Sequence, residues 1–268
     1  MTLLEVHHLK KYFPIRNGIF RRHVGDMKAV DGVSFCIDEG EIVGLVGESG
    51  SGKSTVGRSS IRLLEPTEGE IFFMGQDLLK TSKSKLRKLR QQVQMVFQDP
   101  LASLNPRKTV LENIGEALLV HRLVQNREEQ TQEVVNILQK VGLSPSALNQ
   151  YPHQFSGGQQ QRISIGRALI LKPKLLICDE ITSALDLSVQ AQVINLLYDL
   201  KRAFKLSYLL ISHDLAVIRH LCDRVLVMQR GKIVESAKTE VLFQHPQHPY
   251  TQKLLSSITI THPRERQG

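Results

Sequence analysis

A glycine-rich octapeptide carries the strongest chemical signal in the sequence. Residues 47–54, here called the phosphate loop, read Gly-Glu-Ser-Gly-Ser-Gly-Lys-Ser and match the pattern G-x-x-x-x-G-K-[ST] in full. The glycines let the backbone wrap closely around a phosphate chain with its N–H groups pointing inward, and a following helix adds the positive end of its dipole. Lys53 can then reach the outer phosphates, and the Ser54 hydroxyl can hold Mg²⁺. The segment therefore predicts a site for a nucleotide's phosphates.

Two carboxylates follow a second apolar segment. Residues 175–178 read as a buried strand, and Asp179 and Glu180 come directly after it. A phosphoryl-transfer site needs such groups: Asp179 would anchor the metal through its water shell, and Glu180 could polarise the attacking water. A pair of acidic residues at a strand end is as typical of a solvated turn. The pair favours hydrolysis only because the phosphate loop is also present.

The elements predicted around these motifs alternate between strand and helix. Residues 41–46 form a short apolar strand before the phosphate loop, and a helix is predicted over 53–64, which together start a βαβ unit. From about 100 to 167 the periodicity is helical, which we interpret as an inserted lobe. Strands at 175–178 and 208–212 then restore the alternation.

Strands are also predicted near both ends of the chain. Residues 3–6 and 30–37 read as strands separated by a polar segment at 14–26, which is a hairpin connection or an insertion. A strand pair begins at 224 and turns at Arg230-Gly231. The tail that contains His245, His248 and His262 reads as irregular.

Composition excludes several classes of protein. The chain has 268 residues, of which 41% are apolar and 23% charged, so it can bury a core and is neither collagen-like nor wholly disordered. Three scattered cysteines predict no disulfide framework and favour a reducing compartment. No window approaches the roughly 18 apolar residues of a membrane span, so work at a membrane would be done from its surface. The net charge of +9 favours acidic partners: phosphates, nucleic acid or an anionic membrane face.

Residues 155–162, Phe-Ser-Gly-Gly-Gln-Gln-Gln-Arg, resemble the signature motif of ATP-binding cassette (ABC) proteins. They precede the acidic strand, as in that family. The residue types independently predict that Ser156 caps a helix and that Gly157 and Gly158 stay open to close approach, which would make another anion-binding helix start. A helix cap without a ligand is the alternative.

The resemblance extends to the other loops of that family. Gln98, after a strand at 93–97, matches the Q-loop glutamine, which contacts the metal and the attacking water and leads into the helical lobe. Residues 183–186, Ser-Ala-Leu-Asp, match the D-loop, and His213 matches the switch histidine that contacts the terminal phosphate. Tyr12 matches the aromatic residue that stacks on adenine. A satisfied strand-end histidine and plain core packing are the respective alternatives for His213 and Tyr12.

The resemblance implies an α/β fold with a P-loop NTPase core, RecA-like and mostly parallel, an N-terminal antiparallel β subdomain and an inserted α-helical subdomain. The core would comprise 1–98 and 166–240, the helical subdomain 99–165, and an oligopeptide-transporter tail 241–268. ATP and Mg²⁺ are implied as ligands. The implied catalytic residues are Glu180, His213 and Gln98. The implied metal ligands are Ser54, Gln98 and Asp179. The residues implied to bind nucleotide are Tyr12, Gly47, Glu48, Ser49, Gly50, Ser51, Gly52, Lys53, Ser54, Thr55, Ser156, Gly157, Gly158, Gln159 and Asp186.

Residues 96–106, 188–193 and 248–251 resemble the ATPase subunits of dipeptide and oligopeptide importers, most of all the second, F-type subunit. This implies an ATPase that energises import by nucleotide-driven closure of a head-to-tail pair with a second ATPase subunit. Two permease subunits and an extracytoplasmic substrate-binding protein would complete the system. The chain would lie peripherally on the cytoplasmic face of the inner membrane, without a nucleic-acid partner. Ile181 stands where the family usually has proline, and we expect the carboxylates beside it to keep their places.

Two other functions are compatible with part of these signals. A soluble ABC-type ATPase acting on nucleic acid or ribosomes would use the positive net charge. A P-loop kinase transferring phosphate to a small molecule would leave the signature motif without a role.

Overall fold

The computed structural model describes residues 1–17, 22–183 and 185–259. These residues form two compact units: Met1–Lys83 with the chain from Leu209 onward (unit 1), and Ser84–Tyr208 (unit 2). The strands are β1 Thr2–Asn17, β2 Arg22–Asp38, β3 Ile42–Val46, β4 Glu68–Phe73, β5 Gln76–Asp77, β6 Val93–Val96, β7 Leu175–Asp179, β8 Ser207–Ile211, β9 Arg224–Gln229 and β10 Lys232–Lys238. The helices are α1 Lys53–Ser60, α2 Lys83–Gln92, α3 Pro100–Ser103, α4 Val110–Val120, α5 Arg127–Lys140, α6 Gly157–Leu169, α7 Leu187–Phe204, α8 Leu215–Leu221, α9 Thr239–Gln244 and α10 Pro249–Thr259.

An antiparallel sheet of order β2-β1-β4-β5 opens unit 1. β1 and β2 pair from Thr2↔Asp38 to Asn17↔Arg22, so the polar segment at 14–26 is a hairpin, as one of the two readings predicted. Both strands are longer than predicted because their polar ends continue the pairing beyond the buried part. Residues 18–21, which connect the two strands in the sequence, lie outside the described residues.

The second sheet of unit 1 leads into the phosphate loop. Every residue of β3 is buried, and β3 runs parallel to β9 within the order β10-β9-β3-β8. The turn at Arg230-Gly231 joins β9 to β10, as predicted. The predicted helix over 53–64 is too long, because α1 stops at Ser60. Arg62 has a left-handed φ of 51°, and its guanidinium group bonds Glu65 and the Leu78 carbonyl, which turns the chain away.

Unit 2 contains the predicted helical stretch. β6 and β7 pair in parallel, and residues 97–174 between them, all of which the structure describes, contain helices and no strand. α4 begins with a capping box between Thr109 and Glu112, and α5 begins at the cap Asn126. Together with the antiparallel sheet, this confirms the α/β fold class. The division at 99–165 stays a prediction.

The tail is more regular than predicted. α9 ends at Gln244 and α10 begins at Pro249, so residues 245–248, which include His245 and His248, are irregular as predicted, whereas the part of the tail that follows them is helical; His262 lies outside the described residues. Pro249 opens α10, where its ring favours the helical φ and its missing N–H is not needed. None of the described helices has the length and apolarity required to cross a membrane.

Candidate functional site

The predicted site residues fall into two groups. The phosphate loop, Tyr12 and His213 belong to unit 1, whereas Gln98, the carboxylates at 179 and 180, the signature motif and Asp186 belong to unit 2.

Glycine is required at two positions of the phosphate loop. Gly47 and Gly52 have φ values of 152° and 104°. A Cβ atom added to Gly47 would lie 2.1 Å from the Met228 carbonyl oxygen, and one added to Gly52 would lie 2.1 Å from that of Ala29. The loop is therefore fitted against neighbouring backbone, which fixes its curvature.

Lys53 supplies positive charge inside this curve. It is only 4% exposed, and its Nζ donates to the carbonyl oxygens of Gly47 at 2.8 Å and Glu48 at 2.9 Å. Gly52, at the N-cap of α1, provides no side-chain cap, and the first turn of α1 has no acidic residue. The positive end of the helix dipole and the ammonium group together suit a chain of phosphates.

The phosphate loop is also anchored from outside. The N–H of Gly231 donates to the Ser51 carbonyl at 3.0 Å. The N–H of Glu48 donates to the Tyr250 hydroxyl oxygen at 3.0 Å. Sequence reasoning missed Tyr250 in this role, because the motif at 248–251 indicated only the subfamily and not a contact with the loop.

Tyr12 lies half-buried on β1, so plain core packing does not describe it. Its hydroxyl donates a short hydrogen bond to the Asp31 carboxylate, and Lys28 Nζ lies 5.4 Å from the centre of its ring. The hydrogen bond raises the pKa of Tyr12 and lowers the pKa of Asp31. The Tyr12 ring is thus held in place through its hydroxyl group.

His213 is exposed and lies in the short connection between β8 and α8. The next residue, Asp214, caps α8 by accepting the N–H groups of Ala216 and Val217, and its own N–H donates to Ser212 Oγ at 2.9 Å. The backbone on both sides of His213 is therefore fixed.

In unit 2 the structure brings Gln98 and Glu180 together. Gln98 Nε2 donates to Glu180 Oε2 at 3.1 Å and to Ser183 Oγ at 3.3 Å. Asp179, the last residue of β7, is 1% exposed. A carboxylate bonded to an amide beside a buried carboxylate is an arrangement that can hold and activate a water molecule.

Glu180 has a left-handed backbone, with φ of 48°. This conformation costs a non-glycine residue about 1 kcal/mol or more and clusters at functional sites. Ile181 is buried, and the Ser183 N–H donates to the Glu180 carbonyl at 3.2 Å, so the turn closes without the usual proline. Asp179 remains the last residue of β7, as expected.

Ser156 caps α6, as predicted. Its Oγ accepts the Gln159 N–H at 3.4 Å, and its own N–H donates to Gln159 Oε1 at 3.0 Å, which forms a capping box. Gly157 is exposed, and among the described residues a Cβ there would meet no atom closer than 3.8 Å. The expectation that Gly158 is also open is wrong: it is buried, and a Cβ there would lie 2.3 Å from Cγ1 of Val189 on α7.

This difference in burial predicts that an alanine substitution destabilises the protein at Gly158 but not at Gly157. We expect Gly158→Ala to lower the free energy of unfolding by about 1–3 kcal/mol, because the methyl group would overpack a contact with the stiff side chain of Val189. Gly157→Ala, the matched control, should leave stability within about 0.5 kcal/mol. Urea denaturation of both variants measures the difference. Equal stability of the two would contradict this account of α6 and α7.

Asp186 caps α7. Its Oδ1 accepts the Val189 N–H at 2.9 Å and the Ser188 hydroxyl at 2.7 Å, and the latter bond does most to lower the pKa of Asp186. Ala184, part of the predicted D-loop, lies outside the described residues.

Comparison with known proteins agrees with these features. The ABC transporter family matches residues 30–183, and the C-terminal region of the oligopeptide/dipeptide transporter family matches 234–268. The oligopeptide transport ATP-binding protein AppF of Bacillus subtilis (strain 168) is 57% identical over 98% of this chain and 80% of its own length. The oligopeptide transport ATP-binding protein OppF of Escherichia coli (strain K12) is 49% identical over 98% and 79%.

A solved structure gives the same result for the fold. The ATP-binding cassette MJ0796, in a dimeric post-hydrolysis state bound to ADP and Pi, matches with a TM-score of 0.78 and 29% identity, over 88% of this chain and 99% of that one. With the phosphate loop, the carboxylates and the signature motif in place, the chain belongs to the ABC transporter family and is an ATPase of its oligopeptide and dipeptide branch.

Proposed function

We propose that this chain is the ATP-binding and ATP-hydrolysing subunit of a dipeptide or oligopeptide importer. The observation that carries the proposal is an intact phosphate loop, with Lys53 buried against it, in a chain 57% identical to AppF. The match of 234–268 to the oligopeptide/dipeptide transporter family supports the substrate class.

ATP would be held mainly by unit 1. The phosphate loop and Thr55 would surround its phosphates, and Tyr12 would stack on its adenine. Both assignments are supported by geometry: the loop is curved around a buried ammonium, and the Tyr12 ring is fixed by Asp31. The exposed position of His213 leaves it accessible to the terminal phosphate.

Hydrolysis would depend on Glu180 as the base. Its carboxylate would accept a proton from the attacking water, whose oxygen forms the new bond to the γ-phosphorus as the bond to ADP breaks. Gln98, already hydrogen-bonded to Glu180, would orient the same water. These two residues act as a pair because one amide can bond the base and the nucleophile together.

The donor types at three positions fit Mg²⁺. Ser54, Gln98 and Asp179 offer hydroxyl, amide and carboxylate oxygens, the hard ligands that this ion prefers. Burial of the Asp179 carboxylate to 1% exposure favours a nearby cation. When bound, the ion would neutralise charge on the phosphate oxygens.

The signature motif would act on a nucleotide held by a second ATPase subunit. Ser156 and Gly157 are exposed at the start of α6, where backbone N–H groups and the helix dipole favour an anion. A head-to-tail pair would close around ATP and open after hydrolysis. Residues 99–165 would form the helical subdomain that passes this motion to two permease subunits on the cytoplasmic face of the inner membrane, with an extracytoplasmic binding protein delivering the peptide.

Reconstitution tests the proposal. The chain, its cognate second ATPase subunit and permeases would be placed in lipid vesicles with the binding protein, and uptake of a labelled peptide measured with and without ATP-Mg²⁺. We expect peptide-stimulated ATP hydrolysis and ATP-dependent uptake. Absence of nucleotide affinity, or ATPase activity stimulated by DNA or RNA instead of peptide, would overturn the assignment.

A further inference from the structure

One side chain of the C-terminal region touches the phosphate loop. Tyr250, in the first turn of α10, is 8% exposed, and its hydroxyl oxygen accepts the Glu48 N–H at 3.0 Å. The two residues are 202 positions apart in the sequence and lie within the same compact unit. The contact is therefore a tertiary one that joins the tail to the second residue of the loop.

The turn before α10 is built to hold Tyr250 in place. Glu235 of β10 accepts the N–H groups of Gln247 at 2.8 Å and His248 at 3.0 Å. His248 Nδ1 in turn accepts the Tyr250 N–H at 3.1 Å. Thr251, the next residue, is completely buried. The position of the tyrosine is thus set by β10 and by its own turn, independently of the loop.

The backbone of Glu48 is held at both its N–H group and its carbonyl group. Its N–H donates to Tyr250, and its carbonyl accepts Lys53 Nζ at 2.9 Å. Movement of the ammonium toward a bound phosphate would weaken the carbonyl contact. The bond to Tyr250 does not depend on Lys53, so it can hold this part of the loop while Lys53 turns to the ligand.

The hydrogen bond between Glu48 and Tyr250 is important because the region beside it is loosely packed. A cavity of about 510 Å³ lies beside the loop and the start of α10, and its lining includes Ser49, Arg230 and Lys253. Dense packing does not fill this side of the loop. A hydrogen bond of fixed direction restrains the backbone there more than loose contacts would.

We propose that Tyr250 is a positioning residue for nucleotide binding: its hydroxyl holds the first turn of the phosphate loop in the shape that the phosphates require. Through it, the C-terminal segment sets the affinity of the loop for nucleotide. The inference rests on the proposed function of the phosphate loop in binding ATP.

Tyr250→Phe tests the proposal, because it keeps the buried ring and removes only the hydroxyl. Tyr198→Phe is the matched control: this tyrosine lies on α7 and is 50% exposed. ATP and ADP affinity of the full chain would be measured by calorimetry, well below the thermal midpoint of each variant. We expect Tyr250→Phe to bind nucleotide about 5-fold more weakly, the effect of one neutral hydrogen bond. KM for ATP should rise by a similar factor with kcat unchanged.

A second variant separates positioning from a loss of folding. Glu235→Gln removes one acceptor from the turn that holds Tyr250 and should weaken nucleotide binding in the same direction, by less. Equal affinity of wild type and Tyr250→Phe would overturn the inference, even with a lower thermal midpoint. Lack of nucleotide binding by wild type would instead refute the proposed function.

Discussion

Lys53→Ala is expected to weaken nucleotide binding by about 100-fold or more and to abolish measurable ATP turnover. The wild-type ammonium lies within 2.9 Å of two loop carbonyls, those of Gly47 and Glu48. Without it, those carbonyl oxygens would face the phosphate oxygens with no positive charge to offset their repulsion. Equilibrium binding of a fluorescent ATP analogue and phosphate release measure the two effects.

Lys80→Ala is the control for loss of a positive charge. The Lys80 side chain is 82% exposed and pairs with Asp77 in the same unit. It should leave binding and turnover unchanged, since an exposed charge is screened by solvent and salt. If Lys53→Ala bound and hydrolysed ATP as well as this control does, the phosphate loop would have no part in the mechanism.

Glu180→Gln should separate binding from chemistry. We expect ATP affinity to be retained and turnover to fall by about 100- to 10,000-fold, the typical contribution of a general base. The amide can still accept the Gln98 N–H, which keeps the local geometry, but it cannot accept a proton from water. With its partner subunit and ATP, the variant should accumulate as a closed pair, seen by size-exclusion chromatography and single-turnover hydrolysis.

Glu133→Gln provides the matched control, because Glu133 lies on α5 of the same unit and its carboxylate pairs with Lys172. Hydrolysis at the wild-type rate by Glu180→Gln beside its partner would refute the role of Glu180 as the base.

Local patterns predicted the elements around the site well. The apolar run before the phosphate loop became β3, the helical periodicity after Gln98 became α3 to α6, and Ser156 became a cap. Each of these depends on neighbours within a few residues, so the sequence alone contains the information.

Predictions that depended on distant contacts were less successful. The openness of Gly158 was wrong because α7 packs against it, and the end of α1 was wrong because Arg62 bonds the Leu78 carbonyl. Tyr250 was missed because its partner lies 202 residues away. No spacing rule along the chain reports such a pairing; only the folded arrangement of β10, α10 and the loop does.

The left-handed backbone of Glu180 has a consequence for how such a chain can change over generations. Glycine would adopt that φ of 48° more easily, by about 1 kcal/mol. On the proposed role of Glu180 as the base, heat resistance and catalysis therefore favour different residues at position 180. A lineage selected only for thermal stability would tend to lose the carboxylate here, whereas one selected for ATP hydrolysis would have to keep it and accept a slightly less stable fold.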